Sequence, residues 1–262
     1  MIRSPIITVM EQAARKAGRA LVRDFGEVEN LQVSLKGPAN FVSAADRRAE
    51  EILHAELSKS RKDFSFLMEE RGSVPGKDAS NVWVVDPLDG TTNFLHGVPL
   101  FAISIAHVKD GEPVAGLIYN PVTDELFVAE RGKGAFLHNR RLRVAARREL
   151  GNCIVTCGIP HRGRGDLGLF RRELAVVQEQ VAGVRRTGAA ALDLAWVAAG
   201  RFDAFWERNL SAWDMAAGMV LVREAGGYVT DIDGGDAILE KGTIVAGNEE
   251  IQRSLLALLK TA

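Results

Sequence analysis

Trp83-Val84-Val85-Asp86-Pro87-Leu88-Asp89-Gly90-Thr91-Thr92-Asn93-Phe94 is the stretch of this chain whose residue types could do chemistry. An apolar run delivers Asp86 at its end, Pro87 forces a bend, and Asp89 follows with Gly90 and Thr91 behind it. Hard divalent cations take oxygen ligands. Two aspartates straddling a turn, with the Leu88 carbonyl between them, offer three oxygens to one or two ions. The amides of Gly90 and Thr91, at the start of the helix that follows, suit a phosphate. Taken alone, D-P-x-D is more often an Asx-type turn from strand to helix, so further acids decide. Glu69 and Glu70 end the preceding apolar run, and Asp214 follows Trp213 where another helix opens. None of the five histidines stands in H-x-x-x-H spacing, which disfavours a zinc hydrolase and leaves magnesium as the expected metal.

These residues need elements to hold them. Ser4 followed by Pro5 predicts a helix start, running to about Phe25. Residues 31–36 alternate as a strand, Gly37-Pro38-Ala39-Asn40 breaks it, and Ser43-Ala44-Ala45-Asp46 opens a second helix through about Ser58. The runs 64–68 and 82–85 read as short buried strands, each ending on carboxylates. From 101 to 145 the pattern is an antiparallel meander with turns at 110–111, 121–124 and 139–140. Helices are expected at 167–181 and 189–199, a strand at 202–207, and a helix at 214–225 closed by Gly226-Gly227. A strand at 243–246 and a helix at 249–259 finish the chain. Strands and helices mixed in both orders indicate an α+β layered architecture.

With 262 residues, 47% of them hydrophobic, the chain can bury a large core, so disorder is excluded as its main state. No apolar run approaches the roughly 18 residues of a membrane span. The amphipathic N-terminus lacks a secretion signal, and a cytoplasmic location is expected. Cys153 and Cys157, four residues apart in one apolar segment, read as buried thiols. Net charge is −1, but 131–186 carries 13 basic and four acidic residues. The plain reading of that segment is a solvated arginine-rich face; attraction of an anionic substrate and docking on nucleic acid are the sharper alternatives. No aromatic residues interleave its arginines at 140–148, as single-strand binding would need.

D-P-L-D-G-T-T-N-F at 86–94, with W-D-M-A-A-G at 213–218 and a trailing E-A-G-G at 224–227, resembles the two signatures of the inositol monophosphatase family, specifically its bacterial branch. Order and spacing agree, and the similarity runs from the first helix to the last strand as one unit over 1–262, with a metal-binding part at about 1–145 and an α/β part at about 146–262. The resemblance implies that Glu69, Asp86, the Leu88 carbonyl, Asp89 and Asp214 hold Mg2+. By the same resemblance Thr91 and Glu69 orient and deprotonate the attacking water, with Asp89 beside them. Gly90 and Thr91 hold the phosphate, and Gly188, Ala189, Ala190, Glu207, Asp89 and Asp214 contact the substrate. Lys36 and Asp46 match positions near a weaker third metal, where Asn40 stands in place of the family's usual aspartate. A five-layer αβαβα fold, a homodimer, lithium inhibition and hydrolysis of inositol 1-phosphate are implied with them. The competing readings are a related Mg2+-dependent phosphatase, acting on nucleotide 3′-phosphates, fructose bisphosphate or histidinol phosphate, and a docking factor whose phosphatase activity is incidental.

Overall fold

The computed structural model describes residues 4–27, 33–37, 40–160 and 165–262, with side chains left undescribed over 33–37 and 40–43. Helices α1 (Pro5–Phe25) and α2 (Ala44–Ser60) pack together against one face of an eight-stranded sheet. Ser4 caps α1 through its hydroxyl, which accepts the Ile7 N–H at 3.3 Å. The strands of that sheet are β3 (Phe64–Met68), β4 (Gly72–Val74), β5 (Asp78–Asp89), β6 (Ala102–Lys109), β7 (Glu112–Asn120), β8 (Glu125–Glu130), β9 (Gly134–Leu137) and β10 (Arg140–Arg141). Their order is β10-β9-β8-β7-β6-β5-β3-β4, antiparallel throughout except for the β3–β5 pair. The meander expected from 101 onward is therefore present as β6 to β10.

The second sheet is built from β11 (Ile154–Cys157), β12 (Gly183–Arg185), β13 (Ala204–Arg208), β14 (Tyr228–Thr230) and β15 (Thr243–Gly247), in the order β12-β11-β13-β15-β14. Helices α5 (Ala190–Ala198) and α6 (Ala212–Glu224) lie between the two sheets, while α4 (Leu167–Gln178) and α8 (Glu249–Leu259) cover the outer face of the second. The result is the αβαβα layering. Strand alternation explains how one chain fills three apolar layers. Trp83 and Val85 face α1 and α2, whereas Val84 faces α5 and α6. Phe205 points at the central helices, and Ala204 and Trp206 at the outer ones. Because sheets cover both sides of α5, nearly all its residues are buried and it shows no polar stripe.

Several elements depart from the sequence expectation. The expected break at 37–40 is followed at once by strand β2 (Asn40–Ser43), which pairs back onto β1 (Val33–Gly37). The helix expected at 214 begins at Ala212, so Asp214 sits inside the first turn. Cys153 and Cys157 are buried and free. Among the described residues no helix is long and apolar enough to cross a membrane.

Candidate functional site

Strand β5 lies between parallel β3 and antiparallel β6, so its C-terminal end opens in the middle of a sheet. Asp86 pairs with Ser104 and Asp89 with Ala102, which leaves one extra residue on β5 between them. Pro87 and Leu88 form this bulge. Proline tolerates the place because it has no N–H to offer the ladder, and the buried Leu88 side chain anchors the turn in the core. The Leu88 N–H donates to Asp86 Oδ1 at 2.8 Å, and the Thr91 hydroxyl donates to the Leu88 carbonyl at 3.1 Å. Gly90 has φ +91°, and a Cβ there would lie 2.9 Å from the Leu100 carbonyl oxygen, so only glycine fits before α3 (Thr91–Leu95) begins.

Two other elements bring their acids to this turn. Parallel pairing places Met68 beside Val85, and the Glu69 N–H donates to the Val85 carbonyl at 3.3 Å, so Glu69 stands next to Asp86. Asp214 is the third residue of α6, where its Oδ2 accepts the Ser211 N–H at 2.7 Å in a capping box. The Ser104 hydroxyl donates to the Trp213 carbonyl at 3.0 Å, fastening that turn of α6 to the strand facing Asp86. Asp89 Oδ2 accepts the Ala191 N–H at 2.7 Å, from the first turn of α5.

Carboxylate oxygens of Asp86, Asp89 and Asp214 thereby lie within 4.8 Å of one another. Asp46, Glu69 and Glu70 make a second, adjoining group of the same dimension. Burial pushes the Asp86 carboxyl well above its ordinary range, and the charges of Glu69, Asp89 and Asp214 push it the same way. Asp89 is raised likewise, by burial first and then by Asp214. An all-oxygen donor set whose members repel each other fits a hard divalent cation, whose charge would relieve the repulsion.

Glu69, Asp86, Asp89 and Asp214 line a cleft of about 790 Å³. The same cleft is lined by Glu207, from β13, and by the turn carrying Gly188, Ala189 and Ala190 into α5, which lies against Asp89 and Gly90. Glu207 packs directly against Gly158, where any Cβ would collide with its carboxylate. Gly188 has φ +86° and lies against Asn93, whose amide Nδ2 donates to the carbonyls of Leu100 at 2.7 Å and Thr187 at 2.8 Å. Arg186 adds a cation to the rim. Asp193 borders the cleft as well and is itself buried, and that burial raises its carboxyl to about 7 although Thr156 donates to it at 2.8 Å. Burial pushes the neighbouring Cys157 thiol up to about 12.

All but two of the residues predicted from the sequence can be placed. Glu69, Asp86, Leu88, Asp89, Gly90, Thr91, Gly188, Ala189, Ala190, Glu207 and Asp214 all line the one cleft. Asp46 stands with Glu69 and Glu70 in the adjoining group. The side chains of Lys36 and Asn40 fall outside the described residues. Sequence reasoning missed the Ala191 N–H, which as a backbone group has no sequence signal, and Asn93 as a tether. It also missed Asp193, although a lone acid in A-A-L-D-L-A-W-V-A is a visible anomaly.

A model of the inositol monophosphatase family matches residues 2–262. An inositol-1-monophosphatase of Mesorhizobium japonicum is 63% identical over 260 residues, covering 99% of this chain and 98% of that protein. One of Rhizobium meliloti is 58% identical with the same coverage. Among solved structures, the extragenic suppressor protein suhB of Bartonella henselae is similar with a TM-score of 0.96 and 59% identity, over 98% of this chain and 99% of that one.

Proposed function

Because the chain belongs to the inositol monophosphatase family, we propose that it hydrolyses phosphate monoesters, with inositol 1-phosphate as substrate and Mg2+ as the metal. The observation that carries this reading is the convergence of Asp86, Asp89 and Asp214 in a cleft that Glu207 and the turn at 188–190 also line. Glu69, Asp86, the Leu88 carbonyl, Asp89 and Asp214 hold the metal in this proposal. Bound Mg2+ supplies charge neutralisation at the phosphoryl oxygens and makes water acidic enough to attack at neutral pH.

The remaining work falls to the chain. Glu69 and Thr91 orient the attacking water, and Glu69 accepts its proton. The Gly90 and Thr91 N–H groups at the start of α3 hold the phosphate. Gly188, Ala189, Ala190 and Glu207 hold the leaving alcohol, since a carboxylate accepts from hydroxyls and repels phosphate oxygens. No side chain becomes phosphorylated. Asn40, neutral where the family usually has a carboxylate, weakens a third metal position near Asp46 and Lys36. A cytoplasmic homodimer inhibited by lithium completes the proposal.

Phosphate release should be measured from inositol 1-phosphate, adenosine 3′,5′-bisphosphate and fructose 1,6-bisphosphate, with Mg2+, with chelator, and with lithium added. Mg2+-dependent, lithium-sensitive release favouring inositol 1-phosphate is expected. A preference for either bisphosphate would replace the substrate assignment.

A further inference from the structure

Asp193 is 1% exposed on the first turn of α5, and the chemistry proposed above makes no use of it. The Thr156 hydroxyl donates to Asp193 Oδ1 at 2.8 Å and also lies 3.2 Å from the Arg185 carbonyl, at the point where β11 pairs with β12. The Thr187 hydroxyl donates to the Ala189 carbonyl at 3.4 Å and lies near enough to Asp193 to favour its ionised form. Thr187 in turn receives the Ala189 N–H on its Oγ1 at 3.3 Å and the Asn93 amide on its carbonyl at 2.8 Å. The turn at 187–190 is thus held from α3 by Asn93 and from β11 through Asp193. It needs such holding, because Gly188 at φ +86° lies in neither a strand nor a helix.

Burying a carboxylate near Asp89 works against folding, and a leucine of similar size would fill the space without that cost. What the carboxylate adds is directional acceptance from the Thr156 hydroxyl, which ties the first turn of α5, and with it the end of the turn at 187–190, to β11. We propose that Asp193 is a positioning residue for alcohol binding: it fixes the turn at 187–190 so that Gly188, Ala189 and Ala190 meet the leaving group in one geometry. This inference rests on the phosphatase reading given above.

The test compares wild type, Asp193→Ala and Asp193→Asn with Mg2+, on inositol 1-phosphate and on p-nitrophenyl phosphate. If wild type releases phosphate from neither substrate, the phosphatase reading fails, whatever the variants do, and release from the aryl phosphate alone would overturn inositol 1-phosphate as substrate and this inference with it. Given wild-type turnover, Asp193→Ala should raise KM for inositol 1-phosphate about tenfold, the loss of one well-placed interaction, with kcat changed less than about twofold. KM for the aryl phosphate should barely move. Asn keeps a carbonyl acceptor for Thr156, so Asp193→Asn should recover most of the KM. Should Asp193→Ala not fold, Thr156→Val removes only the donated hydrogen bond and should raise the same KM severalfold. An unchanged KM in the folded variant, or equal losses of kcat on both substrates, would overturn the inference.

Discussion

Two acidic turns at strand ends look alike and behave oppositely. Asp86 precedes the bulge near the end of β5 and Asp231 follows β14, and both are buried, at 2% and 0% exposure. Each accepts the backbone N–H two residues on, Leu88 at 2.8 Å and Asp233 at 2.9 Å, so each is an Asx turn. The partners differ. Lys241 Nζ stands 2.9 Å from Asp231 Oδ2 and 2.7 Å from Asp233 Oδ2. Burial alone would raise the Asp231 carboxyl, but Lys241 with the Gly235 and Asp233 amides outweighs it and holds the group below its ordinary range. At Asp86 burial acts first, and the charges beside it, those of Glu69, Asp89 and Asp214, are all negative, so they push the carboxyl further the same way. One turn is completed by the chain's own cation, while the other concentrates negative charge in a cleft. The second arrangement is costly to the apo fold and useful to a protein that recruits cations.

The largest expected effect separates the two turns by activity. Asp86→Asn, Asp89→Asn or Asp214→Asn should each lower turnover on the order of a thousandfold, since a misplaced cation forfeits several kcal/mol of transition-state stabilisation. Lys241→Met should leave kcat and KM near wild type and lower the melting temperature, because Asp231 then stays buried without its counter-ion. Near-normal turnover in Asp214→Asn at millimolar Mg2+ would sink the metal assignment, and a large loss in Lys241→Met would erase the contrast. A smaller effect, about tenfold on kcat/KM for the loss of a hydrogen bond to a charged group, is expected for Glu207→Gln on inositol 1-phosphate. Its effect on p-nitrophenyl phosphate should be slight. Equal losses on both substrates would place Glu207 with the convergent acids instead of the alcohol wall.

Melting curves sharpen the comparison further. Asp86→Asn removes a repelling charge, so in chelator it should melt at or above wild type. Saturating Mg2+ at about 100 times its dissociation constant should stabilise wild type by roughly 2.7 kcal/mol per site, and the variant by much less. A variant that melts well below wild type in chelator would make Asp86 a structural acid, held for its hydrogen bond to Leu88 like its counterpart Asp231.

How much of this was legible in the sequence follows from what each feature depends on. The end of β5 was readable because an apolar run, a proline and two acids succeed each other locally. The layer order came from the family resemblance, since alternation assigns faces to strands but does not say which helices cover them. Strands β4, β12 and β14 have three residues each, too few for any periodicity to register. Asn40–Ser43 was missed because Gly37-Pro38 reads as an end, whereas the chain turns back and pairs with itself. Lys241 and Asp231 are ten positions apart, and only the placement of α7 (Ile238–Lys241) brings the ammonium to the turn. The distinction between the two acidic turns was therefore invisible until the fold supplied the partners.

Asp193 stands between the two cases and gives the smallest effect. It is buried like Asp231, but hydroxyls face it in place of an ammonium, and the charge of Arg186 favours its ionised form less than burial opposes it. Burial lifts its folded carboxyl to about 7, from an ordinary value of about 3.8. Between those two values the folded state holds a proton that the unfolded chain has released, so stability falls as pH rises through that window and levels off above it. Asparagine does not titrate. Asp193→Asn should therefore gain on wild type steadily from about pH 4 to about pH 7, whatever constant offset the substitution brings, and the gain should stop beyond that. Denaturant unfolding of both proteins in chelator at a series of pH values measures the difference directly. Parallel stability curves across the window would mean that the hydroxyls of Thr156 and Thr187 keep Asp193 ionised, as Lys241 keeps Asp231.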